Sequence, residues 1–256
     1  MTYIHISKSH LNDLHICCAL GAKQYSAAID AKKAWLSDRM KEGLVFYRLD
    51  DRAKVFIEYL PAEAAWAPIH APNYMFINCL WVSGRHQGGG HATHLLDRCK
   101  EDAISRGMDG IVHIAGSKKF PFLSDPRFLK HMGFNVVDKV APYFQLYAHK
   151  FHERGVQPTF KTNKPLPVKE HGIDIFYTVQ CPFASGLLSD LEAVALAKGI
   201  PFHTYEITSR EEAQKAPSPW TTFSIFYNGT FQTHRMMSVT KFEDFLENIS
   251  TRGTEV

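Results

Sequence analysis

The chain has 256 residues, 45% of them hydrophobic and 21% charged, which excludes a disordered chain, a collagen-like rod and a coiled coil. Its length allows one large domain or two modest ones, with enough chain to bury a core without disulfides. The net charge of +3 is too small for a dedicated nucleic-acid binder. It is uneven, however: residues 1–150 carry 19 Lys/Arg against 14 Asp/Glu and the rest 10 against 12, so an anionic ligand is expected on the first part.

In chain order, residues 3–6 read as a short strand, 11–20 and about 24–43 as helices, and Phe46–Leu49 with Ala53–Leu60 as a hairpin. Pro61–Pro72 is irregular. Tyr74–Val82 is a continuous apolar run of strand formers, as a buried central strand requires. A glycine-rich turn leads into a helix over 91–106, where Ala92, Leu95, Leu96 and Cys99 recur at helical spacing and Gly107 ends the pattern. Gly110–Ile114 is a strand, Asp125–Met132 a short helix, and Phe134–Val140 and Tyr143–Ala148 a final pair of strands. His152–Glu170 is rich in proline and positive charge, as an interdomain linker is. Beyond it come a strand Ile173–Val179, a helix Ala184–Lys198, a strand Phe202–Ile207, a short helix Ser209–Lys215, a hairpin turning at Asn228-Gly229, and a helix Lys241–Asn248 capped by Thr240.

Five cysteines, an odd number with no Cys-rich frame, suit reduced thiols in a cytosol. Cys17 and Cys18, adjacent on a predicted helix, cannot both face one metal. No signal peptide is evident, and no apolar stretch approaches the roughly 20 residues of a membrane helix. A cytoplasmic protein is expected, with neither membrane nor nucleic acid as partner. His86, His91 and His94 lie close together, but no carboxylate or cysteine completes a ligand spacing, so no metal is expected.

The informative segment is FINCLWVSGRHQGGGHATHLL, a buried strand running through glycines into a helix start. Amides at a helix start lack intrahelical partners and, with the helix dipole, make an anion site. Glycines there let phosphate oxygens approach the backbone. A P-loop is excluded because no Lys follows, and a Rossmann loop because its third glycine position is Thr93. The run Gln87, Gly88, Gly89, Gly90, His91, Ala92 fits Gln/Arg-x-x-Gly-x-Gly/Ala, and with it the segment resembles the acetyl-CoA pyrophosphate loop of the GNAT acyltransferase superfamily. His131-Met132-Gly133-Phe134 resembles that family's Gly-Phe step, and the likeness spans roughly residues 3–150.

The resemblance implies a mixed sheet whose central strands, Tyr74–Val82 and Gly110–Ile114, splay into a slot for acetyl-CoA. Backbone groups of Leu80, Trp81 and Val82 would hold the pantetheine arm, and the amides of Gln87–Ala92 the pyrophosphate, with Thr93 adding its hydroxyl. An amine of a small molecule or peptide would attack the thioester directly. Family members often place a tyrosine acid four residues before the Gly-Phe glycine; here that position is Leu129. The candidates for catalytic groups are Glu58, Cys79 and His131, with Glu63 and His70 as further possible bases, and acceptor walls are expected from loops such as Pro61–Pro72.

The second part, of order β-α-β-α-β-β-α, resembles a thioredoxin fold, with Cys181-Pro182-Phe183-Ala184 at the redox-motif position but Ala184 in place of the second cysteine. With EHGI at 170–173 and FYNGTF at 226–231 it resembles the YoaP-like domain of bacterial GNAT proteins. The expectation is an α/β (α+β) protein: a GNAT acetyltransferase domain over 1–152, a linker over 153–170, and a YoaP-like, thioredoxin-like domain over 171–256. The alternatives are an acyl-CoA-binding sensor without turnover and a single-cysteine thiol protein using Cys181.

Overall fold

The structure is a computed structural model that describes residues 1–16, 19–153, 155–161 and 165–252. Cys17 and Cys18 therefore lie outside the described residues. The elements are β1 Tyr3–Ile6, α1 Ser26–Met40, β2 Val45–Leu49, β3 Val55–Pro61, β4 Ile69–His70, β5 Tyr74–Val82, α2 His91–Ser105, β6 Gly110–Gly116, α3 Pro126–His131, β7 Asn135–Val140 and β8 Phe144–Lys150. They continue with β9 Thr159–Phe160, β10 Ile173–Tyr177, α4 Pro182–Gly186, α5 Leu188–Ala197, β11 Phe202–Glu206, α6 Arg210–Ala213, β12 Phe223–Tyr227, β13 Thr230–Thr233 and α7 Val239–Arg252.

Seven strands form one mixed sheet in the order β1-β2-β3-β5-β6-β8-β7. All its neighbours are antiparallel except β5 and β6. On one face, Leu95, Leu96 and Cys99 of α2 and Leu129 of α3 pack with Ile57, Ile77 and Tyr147. The period-3.6 spacing of α2 makes this possible, since it brings those residues onto one stripe. On the other face, Trp35 and Leu36 of α1 join a cluster with Phe46, Phe56 and Phe76 that continues into Phe176 and Phe226 of the C-terminal sheet.

That second sheet has the order β11-β10-β12-β13, with β10 and β11 parallel and the remaining pairs antiparallel. Its other face buries Leu191, Phe242 and Leu246 beneath α5 and α7. No helix among the described residues is long and apolar enough to cross a membrane.

Three local expectations differ from what is observed. The helix expected over 11–20 is absent from its described part: a single 3-10 turn, Lys8–Leu11, is followed by turns. Ser7 and His10 satisfy that turn with their side chains, and Leu11 and Ile16 reach the core as separate anchors. The helix expected over 184–198 is two helices meeting at Leu187, the first starting with Pro182 at its first position, where a missing N–H costs nothing. The last helix takes its first bond on the Ser238 carbonyl, not at Thr240. Part of the expected linker is also docked: Phe160 pairs with Ile69 across β9 and β4, and its amide donates to Asp138 Oδ2 at 2.7 Å.

Candidate active site

β5 and β6 share a ladder only from Tyr74↔Gly110 to Ile77↔His113. Beyond it β5 runs on to Val82, still paired with β3, while β6 runs on to Gly116, still paired with β8. The two strands thus part, and the β6-facing edge of residues 78–82 carries no strand. His113 stands at the fork. Its Nδ1 donates to the Ile77 carbonyl at 2.8 Å, so its Nε2, 2.8 Å from Ser124 Oγ, accepts from that hydroxyl. Burial pushes the imidazole down to about 4, against the pull of the Ile77 carbonyl, and keeps it neutral.

A groove of about 600 Å³ opens from this fork. Leu80, Trp81 and Val82 form one wall, residues 119–125 with Phe128 the opposite one, and Gln87, Gly88, Gly90, His91, Ala92 and Thr93 close the end. Gly88 and Gly90 have φ of 79° and 77°, and a Cβ at either would meet no protein atom within 4 Å. Both glycines are therefore required by backbone conformation and face open space, as close approach of an anion needs. His94 donates the first amide bond of α2 to the Gly90 carbonyl, which leaves the amides before it without an intrahelical partner. Gln87 ties the loop down by donating from Nε2 to the Val82 carbonyl at 3.2 Å. Gly89 does not line the groove; a Cβ there would press on the His91 ring at 3.2 Å.

The histidines near this loop are packing groups. His91 Nδ1 lies 2.6 Å from Tyr3 Oη, and the His94 ring sits 4.0 Å from that of Tyr3. Among the described residues no group of three His, Cys, Asp or Glu side chains is arranged to hold a metal ion.

Beside the groove lies a second, more enclosed cavity of about 110 Å³, and Trp81 and Phe122 line both. One side comes from the large sheet, the bend before β3 and α1: Lys32, Lys54, Phe56, Asn78 and Cys79. The other comes from beyond residue 171: Gln180, Cys181, Pro182, Phe183, Trp220, Thr222 and Met236. Cys181 is the N-cap of α4. Asn78 is here because of a β-bulge. Glu58 pairs with Cys79 and Tyr59 with Ile77, so Asn78 is the extra residue of β5.

Of the expected catalytic residues, Glu58 and Cys79 are cross-strand neighbours, and only Cys79 lines the chamber. Glu58 is fully buried and bonded to the Lys32 ammonium, which does line it. Burial pushes the Glu58 carboxyl up, opposed by the Lys32 charge. His131 is exposed at the end of α3 and lines neither cavity. Glu63 instead accepts the Asn73 amide at 2.6 Å, and His70 is exposed on β4. Leu129 is wholly buried. The segment Pro61–Pro72, expected to wall an acceptor, does not line the chamber; the C-terminal part does. Sequence reasoning missed His113, Ser124, Lys32 and Trp220. Only His113 leaves a trace there, as a polar residue inside an apolar strand.

The acetyltransferase (GNAT) family model matches residues 10–134, and a YoaP-like model matches residues 201–243. The uncharacterized N-acetyltransferase YoaP of Bacillus subtilis (strain 168) is 55% identical over 251 residues, which cover 98% of this chain and all of that protein. Among solved structures, a GNAT-family acetyltransferase from Staphylococcus aureus Mu50 aligns at 14% identity and a TM-score of 0.42, covering 59% of this chain and 99% of that one. The PaiA N-acetyltransferase from Thermoplasma acidophilum in complex with coenzyme A aligns at 15% identity and a TM-score of 0.41, covering 59% of this chain and all of that one. On the strength of its full-length likeness to a single relative and of the GNAT match over the domain that holds the groove, this chain belongs to the GNAT acetyltransferase family and carries a YoaP-like domain at its C-terminal end.

Proposed function

We propose that this acetyltransferase moves the acetyl group of acetyl-CoA, held in the groove, directly onto a primary amine held in the chamber. The single observation that carries this reading is that Trp81 and Phe122 line both cavities. In this reading the unpaired edge of Leu80–Val82 hydrogen-bonds the pantetheine arm as an added strand would. The amides of Gly88 and of residues 90–93 take the pyrophosphate, with the positive end of α2 behind them.

The amine nitrogen bonds the thioester carbonyl carbon, the C–S bond breaks, and CoA leaves as thiolate while the nitrogen gives up a proton to water. The Lys54 ammonium at the chamber wall, beside the Glu58-paired Lys32, disfavours a further positive charge, so the acceptor enters as the neutral, nucleophilic amine. Glu58 touches no acceptor in this scheme. It holds the Lys32 ammonium in place. With Leu129 buried in the core, α3 offers the thiolate no proton donor at that position.

The domain boundaries follow the same reading: residues 1–152 bind acetyl-CoA, 153–170 connect, and 171–256 wall the chamber. The order and directions of β10–β13 support describing the last part as thioredoxin-like. Its contribution is a chamber wall, since Ala184 stands where a second cysteine would complete a dithiol. The test is calorimetric titration with acetyl-CoA followed by a thiol-release assay with added amines. Saturable binding with amine-dependent CoA release is expected; binding without release for any amine overturns direct transfer.

A further inference from the structure

Several hydrogen-bond donors in the chamber walls have no acceptor among the described residues. Trp81 Nε1, Trp220 Nε1 and Asn78 Nδ2 are buried without a hydrogen-bond partner among the described residues, and all three residues line the chamber. Buried N–H groups in that state call for an oxygen-bearing ligand. The Lys54 ammonium and the Glu58-paired Lys32 ammonium lie on the same wall, and among the described residues no carboxylate lines it. Glu58, the nearest acid in the strand register, is fully buried and engaged by Lys32. Most of the remaining lining is apolar, Phe56, Phe122, Pro182, Phe183 and Met236 with the two indoles, and Gln180, Thr222, Cys79 and Cys181 add uncharged polar groups. At about 110 Å³ the space holds roughly eight waters, the size of one free amino acid and too small for a folded peptide or a multi-ring sugar.

Resting on the acetyltransferase reading above, we infer that the acceptor is a free α-amino acid with an apolar or aromatic side chain. Its carboxylate meets Lys54 and the unpartnered N–H groups, its side chain packs among the rings, and its amine faces the thioester. Polycations, polyamines and aminoglycosides among them, are rejected by the Lys54 charge and by the lack of a lining carboxylate to pair with them.

The experiment measures kcat/KM with acetyl-CoA for L-phenylalanine, L-leucine, phenethylamine and spermidine, after acetyl-CoA binding has been established by calorimetry. L-Phenylalanine is expected to exceed phenethylamine by roughly tenfold or more, the value of a charge-assisted hydrogen bond, and spermidine is expected to be inert. Lys54→Gln should collapse the ratio of phenylalanine to phenethylamine toward one, chiefly through KM, and Lys54→Arg should restore it. A melting curve for each variant separates misfolding from lost recognition. Preference for phenethylamine or spermidine, or an unchanged ratio in Lys54→Gln, overturns the amino-acid assignment and leaves the acetyltransferase reading standing. Bound acetyl-CoA with no transfer to any of the four overturns both.

Discussion

Ile77 and His113 are the last partners of the parallel ladder, and the imidazole itself closes that ladder by donating to the Ile77 carbonyl at 2.8 Å. The fork that makes the groove is therefore fixed by a neutral histidine. Its second nitrogen accepts from Ser124, on the opposite wall.

A pH dependence follows. Burial brings His113 and His234 each down to about 4, while an unfolded histidine titrates near 6.5. The folded values are depressed, so each group's contribution is complete above pH 6.5 and is lost as pH falls toward 4, because the unfolded chain binds the proton more readily. Going from neutral pH to below pH 4, each costs about 3 kcal/mol of stability by this linkage. Urea unfolding at pH 7.5, 6 and 5 should show stability falling through this window, and His113→Gln should flatten the slope. An equal slope in that variant contradicts the assignment.

His234 also joins the two sheets. Its Nε2 donates to the Pro121 carbonyl at 2.9 Å, and its Nδ1 therefore accepts from Tyr143 Oη at 2.7 Å. Pro121 precedes Phe122, which lines both cavities. His234→Phe keeps the ring but removes the hydrogen bonds to the half-buried Tyr143 hydroxyl and to the carbonyl of the exposed Pro121, at about 0.5–1.5 kcal/mol for each. A lower melting temperature is expected, with acceptor KM raised more than acetyl-CoA affinity is reduced. Steady-state kinetics varying each substrate in turn checks this.

Gly90→Glu tests the loop. The variant forces a side chain into the left-handed conformation, at about 1–2 kcal/mol, and puts a carboxylate where the structure leaves open space. CoA affinity should fall at least roughly tenfold, the equivalent of ~1.4 kcal/mol, in a protein that still melts cooperatively. Calorimetric CoA binding equal to that of the parent protein removes the phosphate-site assignment.

Leu129 is wholly buried against the core beneath α2 and α3. Leu129→Ala should cost about 2–5 kcal/mol through the cavity it leaves. Leu129→Tyr should cost about 1–3 kcal/mol through overpacking, and it should gain no turnover, because a ring in the core does not reach the thiolate. A rise in kcat for Leu129→Tyr contradicts this.

The loop and its strand were legible because they are local. A buried strand, three glycines and an amphipathic helix start lie within the single segment from Phe76 to Leu96, and backbone geometry follows from such runs. The helices that failed, over 11–20 and 184–198, failed where side chains compete with the backbone at Ser7 and His10 and where a glycine, Gly186, packs against the Tyr25 ring. The chamber was not legible. Lys32, Asn78, Cys181 and Trp220 come from four distant stretches, and only docking of the second sheet brings them together. The bulge that sets Asn78 there leaves no residue signature either.

Cys181 is the remaining test of mechanism. It caps α4 and lines the chamber opposite Cys79, so a thiol relay is the natural rival to direct attack: the acetyl group would pass first to sulfur and then to the amine. The rival needs Cys181 as an obligatory nucleophile. Direct attack needs it only as part of a wall, and serine fills nearly the same space. Cys181→Ser should therefore bind acetyl-CoA as the parent protein does and transfer acetyl within a few fold of its rate. Mass spectrometry of the parent protein mixed with acetyl-CoA alone should show no acetyl adduct on the peptide that holds Cys181. A serine variant that binds acetyl-CoA but transfers nothing, together with an acetylated Cys181 in the parent protein, replaces direct attack with a two-step mechanism through that sulfur.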